Sequence, residues 1–366
     1  MVTTWVMEED WGILSALTQA LQENASITSS IEVKKALASQ FGMLDVPKEL
    51  GGGGRSSVLQ VLAQFVCGYH DLDYRDIAHT GHGRMIVRHG SAKQHEIWMP
   101  KLASGSLVGV AATESHGGSK FHAVKTVAET KGGKRLLSGE KVHISRLAEA
   151  DAFVVFFKFA GDEVLSAVLI DLAREGVATE VWDTIGLRGW SWGKITFDQM
   201  PFEDTDILGA RGQGAAIFKE HLAYYRPMIT MTTLGVAAAV LDMAVRELNR
   251  RVSEADIIAP RDSALETIAR HYASINAGIL SAVCAAVQGV EDSPQSSLWA
   301  RTTKAWGIEQ AYHAVSELAL LMGAGSFRSN HFAAKALVDI RAFLMADGIH
   351  DALRRSAGRA LLDSAS

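Results

Sequence analysis

The order of the hydrophobic patterns along the chain constrains its fold more than any other feature. Beyond residue 216, apolar residues recur at helical spacing in four long segments, at 217–252, 261–289, 298–322 and 333–362. Before them, residues 107–216 contain short β-rich runs separated by Gly, Asp and Lys turns. Four long helices in succession are typical of an antiparallel bundle. The pattern therefore predicts a small β domain followed by a four-helix bundle.

The first 106 residues favour a further helical unit. Leu14, Leu17 and Leu21 recur at helical spacing, and a similar stripe covers residues 58–66. Between them, a proline and four consecutive glycines exclude a continuous helix and predict a loop. We therefore predict a mostly α fold with three domains, namely an N-terminal α-helical domain at 1–106, a central β-barrel or sandwich at 107–216 and a C-terminal four-helix bundle at 217–366.

Composition excludes several classes of function. The chain has 366 residues, of which 48% are apolar, and its formal net charge of −5 argues against a nucleic-acid partner. Its two cysteines, Cys67 and Cys284, cannot form a disulfide framework, and no Cys/His cluster has zinc-ligand spacing, so no metal site is predicted. The N-terminus lacks the pattern of a signal or transit peptide, and the apolar runs are too short to span a bilayer. We expect a cytoplasmic protein without a membrane partner.

Two glycine-containing segments are candidates for binding a phosphate or a polar ring. Residues 209–214 follow a strand and precede a helix, but no alternation of strands and helices surrounds them, so a turn before the first bundle helix is the preferred interpretation. Residues 113–119 directly follow another strand. Their hydroxyls and exposed amides suit the edge of a flavin or a pyrophosphate, and an ordinary polar β-turn is the alternative.

Two further clusters carry titratable side chains. His143 and Ser145 alternate on one face of a predicted strand, where a histidine is more often structural than catalytic. Asp347, Gly348 and Asp351 interrupt the last helical pattern. A carboxylate at such a break serves either as a base or as the cap of the next helix, and capping is the default interpretation.

Together these clusters resemble the sequence motifs of the acyl-CoA dehydrogenase family. The motifs occur in the same order as in the family and along nearly the whole chain. Ala112-Thr113-Glu114, followed by two glycines and Ser119, resembles the family's flavin-binding signature, and residues 138–145 resemble its second signature. The remaining matches extend from the β domain to the last helix, at Gly186, Leu187, Arg188, Phe197, Leu208, Gly209, Gly212, Gly214, Arg226, Asp339, Arg341, Asp347 and Gly348.

The resemblance implies that FAD binds with its flavin ring between the β domain and the bundle. By this resemblance, Ala112, Thr113 and Ser145 contact the polar edge of the flavin, His143 faces the ring, and Ser119 reaches the pyrophosphate. It also implies a homodimer or homotetramer, because the family builds its FAD site across a subunit interface. The further implied cofactor contacts are Arg251, Gly348 and Asp351.

The implied reaction is the α,β-dehydrogenation of an acyl thioester, in which a carboxylate removes a proton while hydride passes to the flavin. Asp347 occupies the position of the family's catalytic glutamate, and Tyr225 occupies that of an alternative glutamate. Because aspartate is shorter, either the substrate is held closer or the reaction is not the standard one. The sequence offers few cues for a bulky acyl pocket, so we expect a small and polar substrate. Arg226, Tyr225 and Trp190 are candidate substrate contacts, although core packing is the favoured interpretation of Trp190.

Within the family, the chain most resembles the acyl carrier protein (ACP) dehydrogenases of polyketide extender-unit synthesis, which help make hydroxymalonyl- or methoxymalonyl-ACP. This likeness implies a three-carbon acyl group on an acidic carrier and an electron-transfer flavoprotein or similar acceptor. The oxidation would be at a C–C bond or at a hydroxyl or aldehyde-hydrate carbon, and in the second case Asp347 would take the proton from oxygen. The candidate carrier contacts are Arg84, Arg88, Lys93, Arg354, Arg355 and Arg359. The alternatives are an ordinary short-chain acyl-CoA dehydrogenase, an O₂-using flavin oxidase or monooxygenase of this fold, and a non-catalytic binding scaffold.

Overall fold

Helices form the N-terminal part of the chain in the computed structural model, which describes residues 8–25, 30–117, 123–254, 260–289 and 294–363. Ser30, Ser56 and Ser91 each cap the following helix, because each hydroxyl accepts a hydrogen bond from the backbone N–H three residues later. The predicted loop at 46–54 is present and contains one short 3₁₀ helix, Lys48–Leu50. The helices are α1 (Glu8–Glu23), α2 (Ile31–Phe41), α3 (Ser57–His70), α4 (Arg84–His89) and α5 (Ala92–Ala103).

A sheet forms the centre of the chain. Its strands are β1 (Val108–Ala111), β2 (Val127–Lys131), β3 (Lys134–Ser145), β4 (Ala152–Phe159), β5 (Ser166–Ile170), β6 (Val177–Trp182), β7 (Trp192–Phe202) and β8 (Ile207–Leu208). The strand order is β6-β7-β3-β2-β4-β5-β8, and β1 pairs parallel to β4. The strands thus occupy positions 108–208, and the division into domains at residues 106 and 216 stays a prediction.

Strand β4 is the core of this sheet and is buried on both faces. Val154 and Phe156 pack into a cluster with side chains of α4 and α5, whereas Phe153, Val155 and Phe157 pack into a cluster with side chains of β7. Since successive side chains of a strand point to opposite faces, this single strand joins two hydrophobic clusters.

Long helices form the C-terminal part, as the periodicity predicted. They are α6 (Gly214–Glu254), α7 (Asp262–Gln288), α8 (Pro294–Leu321), α9 (Phe332–Phe343) and α10 (His350–Asp363). The fourth helical segment is divided into α9 and α10, in agreement with the predicted interruption of the helical pattern, and Asp347 and Gly348 between them have φ values of 55° and 111°. The candidate carboxylate therefore lies in a turn between two helices.

Helix α3 crosses α6 at backbone contact, which ties the N-terminal helices to the bundle. An ideal Cβ on Gly68 would lie 1.8 Å from the carbonyl oxygen of Thr232, and one on Gly235 would lie 2.2 Å from that of Phe65. Only glycine fits at these two positions, so the approach of the two helices is set by the sequence.

Helix α6 is long and apolar enough to cross a bilayer, judged by length and composition. Within the described chain, however, 78% of its most apolar window is buried inside the protein. The helix thus contributes to the core of the bundle, as its contacts with α3, α7 and α8 require.

Candidate active site

The break between α9 and α10 places Asp347 in a turn that two cations hold. The Arg226 Nε donates a hydrogen bond to the Asp347 carbonyl oxygen at 2.9 Å. The Lys304 Nζ donates one to the Gly348 carbonyl oxygen at 2.7 Å. A side chain at Gly348 would collide with Leu353, because an ideal Cβ lies 2.8 Å from its Cδ2. The backbone around Asp347 is therefore fixed by contacts from α6, α8 and α10.

Buried basic groups surround this turn. Burial lowers the pKa of Lys304 to about 7 and that of Arg226 to about 10, while the Asp347 carboxylate opposes both shifts. Burial also lowers the pKa of Arg75 and of Arg146, and Asp347 again favours their charged forms. Of these basic side chains, Arg226 and Lys304 contact the turn itself, and the fold brings them there from distant parts of the sequence.

Arg146 links this region to the end of β3. Its Nη1 donates to the Ser145 Oγ at 2.9 Å and to the His82 Nε2 at 3.1 Å. Its Nη2 forms an ion pair with Asp76 and lies 3.4 Å from the Tyr225 hydroxyl oxygen. The Tyr225 hydroxyl in turn donates to Asp76 Oδ1 at 3.0 Å. One buried guanidinium therefore connects the N-terminal helices, the sheet and the bundle.

Two buried histidines extend this network. A guanidinium only donates hydrogen bonds, so the His82 Nε2 is an acceptor and its Nδ1 carries the proton. That Nδ1 lies 2.8 Å from the His221 Nε2, which leaves the proton of His221 on Nδ1. The His221 Nδ1 is buried and has no hydrogen-bond partner among the described residues. His221 borders a cavity of about 10 Å³, which is room for roughly one water molecule.

A bulge at the end of β3 turns His143 outward. The register with β7 shifts at this residue, and His143 adopts a φ of 59°. Its exposed ring lies against Trp182 and Trp192, with centroid distances of 5.5 and 6.4 Å. The Trp192 Nε1 is buried and lacks a hydrogen-bond partner within the described ranges. Since Trp192 pairs with Ser145, an unsatisfied donor and a half-buried hydroxyl lie side by side at this edge.

The segment after β1 packs along the same part of β3. The Val142 backbone N–H donates to the Thr113 carbonyl oxygen at 2.9 Å, and the Lys141 Nζ lies 3.4 Å from the Ala112 carbonyl oxygen. Ala112 and Thr113 are both half-buried. The structure therefore brings Ala112, Thr113, His143 and Ser145 together at the C-terminal end of β3, the β3 edge.

Glu114 holds this segment in place. Its carboxylate forms a buried ion pair with Lys141 at 2.8 Å and accepts hydrogen bonds from the backbone of Lys125 and Thr126. Burial alone would raise the pKa of Glu114, but the hydrogen bonds, of which that from Lys141 is the strongest, hold it at about 2. Glu114 is thus ionised and its role in the described structure is to position the loop.

Trp190 is enclosed by protein, with 2% of its surface exposed. Its Nε1 donates to the Asp73 carbonyl oxygen at 3.1 Å. Three cations lie against its ring, namely Lys34, Arg75 and Arg146, at 4.1, 5.3 and 5.1 Å from the centroid. This burial agrees with core packing, and a contact with substrate stays a prediction.

Comparison with known proteins gives a match over most of the chain. The acyl-CoA dehydrogenase N-terminal domain matches residues 14–106, the middle domain matches 109–200 and the C-terminal domain matches 212–362. The chain belongs to the acyl-CoA dehydrogenase family. The expected fold is confirmed, and so is membership of a family of FAD-dependent oxidoreductases.

Sequence identity to individual members of the acyl-CoA dehydrogenase family is low. A probable acyl-CoA dehydrogenase of Bacillus subtilis (strain 168) is 33% identical over 239 residues, which are 63% of this chain and 40% of that protein. This chain also covers 57% and 50% of the length of two further relatives. The chain therefore spans about half the length of several curated relatives that it matches.

Solved acyl-CoA dehydrogenases share the fold. Butyryl-CoA dehydrogenase from Megasphaera elsdenii has a TM-score of 0.91 and 20% identity, over 98% of this chain and 99% of that one. An acyl-CoA dehydrogenase of Bacillus anthracis in complex with FAD has a TM-score of 0.90 and 22% identity, over 99% of this chain and 68% of that one.

The residues at the β3 edge fit the FAD of the acyl-CoA dehydrogenase family. A flavin carries carbonyl oxygens and ring nitrogens along one edge, which need hydrogen-bond partners from the protein. The orphaned Trp192 Nε1 and the hydroxyls of Thr113 and Ser145 are suitable partners, and the exposed His143 ring offers a flat surface. The individual contacts stay predictions.

Three predicted cofactor residues lie apart from this edge or outside the described chain. Arg251 uses its guanidinium within the bundle, where it bonds Glu247 at 2.8 Å and two carbonyl oxygens that follow α8, at 3.1 and 2.6 Å. Asp351 is exposed and pairs with Arg355 on α10. Ser119 lies outside the described residues. Their contacts with FAD stay predictions.

A groove beside Arg251 is lined by other arginines. It encloses about 600 Å³ and is bordered by Arg246, Arg250 and Arg328. Arg251 itself is turned towards the backbone carbonyls of Leu321 and Met322.

Sequence reasoning missed most of the buried polar groups of the site. These are Arg75, Asp76, His82, Arg146, His221 and Lys304. Only Arg146 had a signal in the sequence, because it directly follows Ser145 in the second signature. The others come from segments that no motif connects.

An ammonium group forms ion pairs with each of three clustered carboxylates near the site. Asp71, Asp73 and Asp339 have oxygens within 4.8 Å of one another. The Lys335 Nζ lies 2.7, 3.0 and 2.7 Å from these three carboxylates. Because the ammonium already occupies their centre, the cluster is an ion-pair group that joins α9 to the N-terminal helices.

Proposed function

We propose that the chain oxidises a small, polar acyl thioester, with Asp347 as the base. The observation that carries the proposal is the connection between the two halves of the site. Asp347 lies in a turn fixed by Arg226 and Lys304. Tyr225, which precedes Arg226 in α6, contacts Arg146, and Arg146 donates to Ser145 at the candidate flavin edge. A base and a cofactor edge connected through adjacent residues of one buried helix suit dehydrogenation.

The residues of the chain would act on the substrate by position and charge. Bound FAD supplies the two-electron acceptor. The Asp347 carboxylate accepts the proton, and the fixed backbone of its turn limits the ways in which it can approach the substrate. Buried cations around the turn stabilise negative charge that develops on the thioester oxygen. Tyr225, where the family has an alternative glutamate, is engaged with Asp76, so Asp347 remains the candidate base.

We further propose that the acyl group is carried by an ACP, as in polyketide extender-unit synthesis. The exposed candidate carrier contacts are Arg88, Lys93, Arg354, Arg355 and Arg359. Three of them form ion pairs: Arg88 with Glu220, Arg354 with Glu309 and Arg355 with Asp351. Arg84 is partly buried and pairs with Asp45. Exposed ion pairs exchange partners readily, since each contributes little. Oxidation of an ordinary acyl-CoA has equal support from the relatives.

Anaerobic reduction of the flavin tests this proposal. The FAD-loaded protein is mixed with a panel of three-carbon acyl groups, each attached either to ACP or to CoA, and bleaching of the flavin absorbance is followed. We expect bleaching by a member of the panel, faster with the ACP thioester. Bleaching with CoA esters alone would contradict the carrier, and a folded protein that binds no FAD would support the scaffold alternative.

Reoxidation in air separates the remaining alternatives. A dehydrogenase that passes electrons to an electron-transfer flavoprotein reoxidises slowly in air and rapidly with that acceptor. Rapid reoxidation by O₂ would instead favour an oxidase or monooxygenase of the same fold.

A further inference from the structure

Arg146 is a buried, charged residue in a backbone conformation that arginine rarely adopts. It directly follows Ser145 at the end of β3, its exposure is 2% and its φ is 69°. A left-handed backbone is disfavoured for residues other than glycine and is concentrated at functional sites. Because successive side chains of a strand point to opposite faces, this departure from the extended conformation lets the Arg146 guanidinium lie beside the Ser145 hydroxyl.

The hydrogen bond between these two side chains has a fixed direction. The Arg146 Nη1 donates to the Ser145 Oγ at 2.9 Å, and a guanidinium has donors but no acceptor. The Ser145 hydroxyl proton therefore points away from Arg146, and within the described ranges it is donated to no other group. Ser145 thus has a free donor at the β3 edge, where the flavin is expected.

The charge of Arg146 is paired through the nitrogen that does not face Ser145. That nitrogen, Nη2, contacts the Asp76 carboxylate, which also accepts hydrogen bonds from the Tyr225 hydroxyl at 3.0 Å and from the His79 Nε2 at 2.9 Å. The His79 Nδ1 accepts a backbone N–H, so its Nε2 carries the proton. Three donors share the negative charge of Asp76, and the positive end of the ion pair faces Ser145.

We propose that Arg146 is a positioning residue that polarises the Ser145 hydroxyl and so makes bound FAD easier to reduce. A hydride adds two electrons and one proton to the flavin, so the reduced ring carries one more negative charge than the oxidised ring. A hydroxyl whose oxygen accepts a bond from a cation is a stronger donor, and donors and charges beside the ring tune a flavin. This inference rests on the proposed function, because it concerns the same cofactor edge.

The midpoint potential of the bound flavin tests the proposal without any thioester. The FAD-loaded protein is reduced stepwise by dithionite in the presence of a dye of known potential. Arg146→Gln removes the charge but keeps an amide donor. We expect the ratio of reduced to oxidised flavin at a fixed potential to fall by about 10-fold, which is about 30 mV for a two-electron couple. Arg146→Lys keeps the charge and should retain most of the potential. An unchanged potential in Arg146→Gln would overturn the proposal.

Asp76→Asn should shift the potential in the opposite direction. It removes the negative partner and leaves the positive charge beside Ser145, so the same ratio should rise. If Arg146 and Asp76 only held the structure together, loss of either would disturb the flavin in the same way. A fall in both variants would therefore show a structural role and would overturn the proposal.

A double variant tests whether Arg146 acts through Ser145. Ser145→Ala should itself lower the potential, and Arg146→Gln should lower it less in the Ser145→Ala background than in the wild type, because residues in one network are not additive. An undiminished effect would overturn the positioning role. Arg174→Gln is the control, because Arg174 pairs only with Asp206 among the contacts described and its loss should leave the potential unchanged.

FAD content and Tm are measured for every variant, since Arg146→Gln leaves the Asp76 carboxylate buried without its cation. If that variant does not retain FAD, a raised potential in Asp76→Asn together with a lowered one in Ser145→Ala supports the proposal, and any other pair of results overturns it. If the potentials shift as expected but no thioester bleaches the flavin, the proposed dehydrogenation fails and the Arg146 inference stands. Bleaching with unchanged potentials has the opposite meaning.

Discussion

The buried histidines beside Tyr225 are neutral at neutral pH. Burial lowers the pKa of His79 and of His82 to about 4, and that of His221 well below its ordinary value. In the unfolded chain the same imidazoles titrate near 6.5. Between these values the unfolded state binds more protons than the folded state, so the free energy of unfolding decreases as the pH falls from about 6.5 towards 4.

Replacement of His82 by a side chain that does not titrate should remove part of this pH dependence. His82→Gln keeps an acceptor for Arg146 and a donor for His221. We expect the loss of stability between pH 7 and pH 5 to shrink by about 2 kcal/mol, the linkage effect of one such histidine. Urea unfolding at the two pH values measures it, and an unchanged loss would show that His82 is protonated in the folded protein.

Single residues of the site were predicted to different extents. Asp347, Thr113, His143 and Ser145 belong to recognisable motifs, and the structure brings the last three to one edge of β3. Arg75 could not be predicted in the same way, because the meaning of a lone arginine depends on burial and on the groups around it. Both properties arise only when distant segments pack together.

At the scale of elements, the turn between α9 and α10 sets the position of the candidate base. Gly348→Ala should displace this turn, since φ is 111° there and the added Cβ would lie 2.8 Å from Leu353 and 3.2 Å from Arg226. A displacement near 1 Å lowers the rate by about 100-fold. The measurement is the rate of flavin bleaching by the substrate found in the panel.

The same helix offers a matched control for this glycine. An ideal Cβ on Gly358 meets nothing within 4 Å, and that residue lies inside α10 on the surface. Gly358→Ala should leave the bleaching rate unchanged and raise stability by about 0.5–1 kcal/mol. Equal rates in the two variants would mean that the turn does not position the base.

The elements themselves were largely visible in the sequence where one face is buried. Helix α1, helix α3 and the long bundle helices follow the apolar periodicity. Strand β6 lacks an apolar pattern that would predict it, because it lies at the edge of the sheet and its residues are mostly exposed. The break of the last helix was detected as a motif, but its positive φ values depend on packing against Leu353 and Arg226.

At the scale of the whole molecule, the candidate site lies where the N-terminal helices, the sheet and the bundle meet. Asp76 comes from the first, Arg146 from the second and Tyr225 from the third, and all three are buried. The polar network is therefore also part of what joins the three regions.

Removal of the charge of Asp76 should weaken this junction. Asp76→Asn leaves Arg146 without its carboxylate, and loss of one partner of a buried ion pair costs about 3 kcal/mol. Asp242→Asn is the control, because its exposed carboxylate bonds only the Tyr69 hydroxyl among the contacts described and should change stability by less than about 0.5 kcal/mol. Urea unfolding of both variants measures the difference, and equal effects would exclude a joining role.

Asp347 is the residue on which the proposed chemistry depends. The most direct measurement is anaerobic bleaching of the flavin in Asp347→Asn, compared with Asp242→Asn, which removes an exposed carboxylate on α6. We expect Asp347→Asn to retain FAD but to lose bleaching, by about 1,000-fold or more, whereas Asp242→Asn should bleach at a rate close to that of the wild type. Bleaching at the wild-type rate in Asp347→Asn would contradict the account.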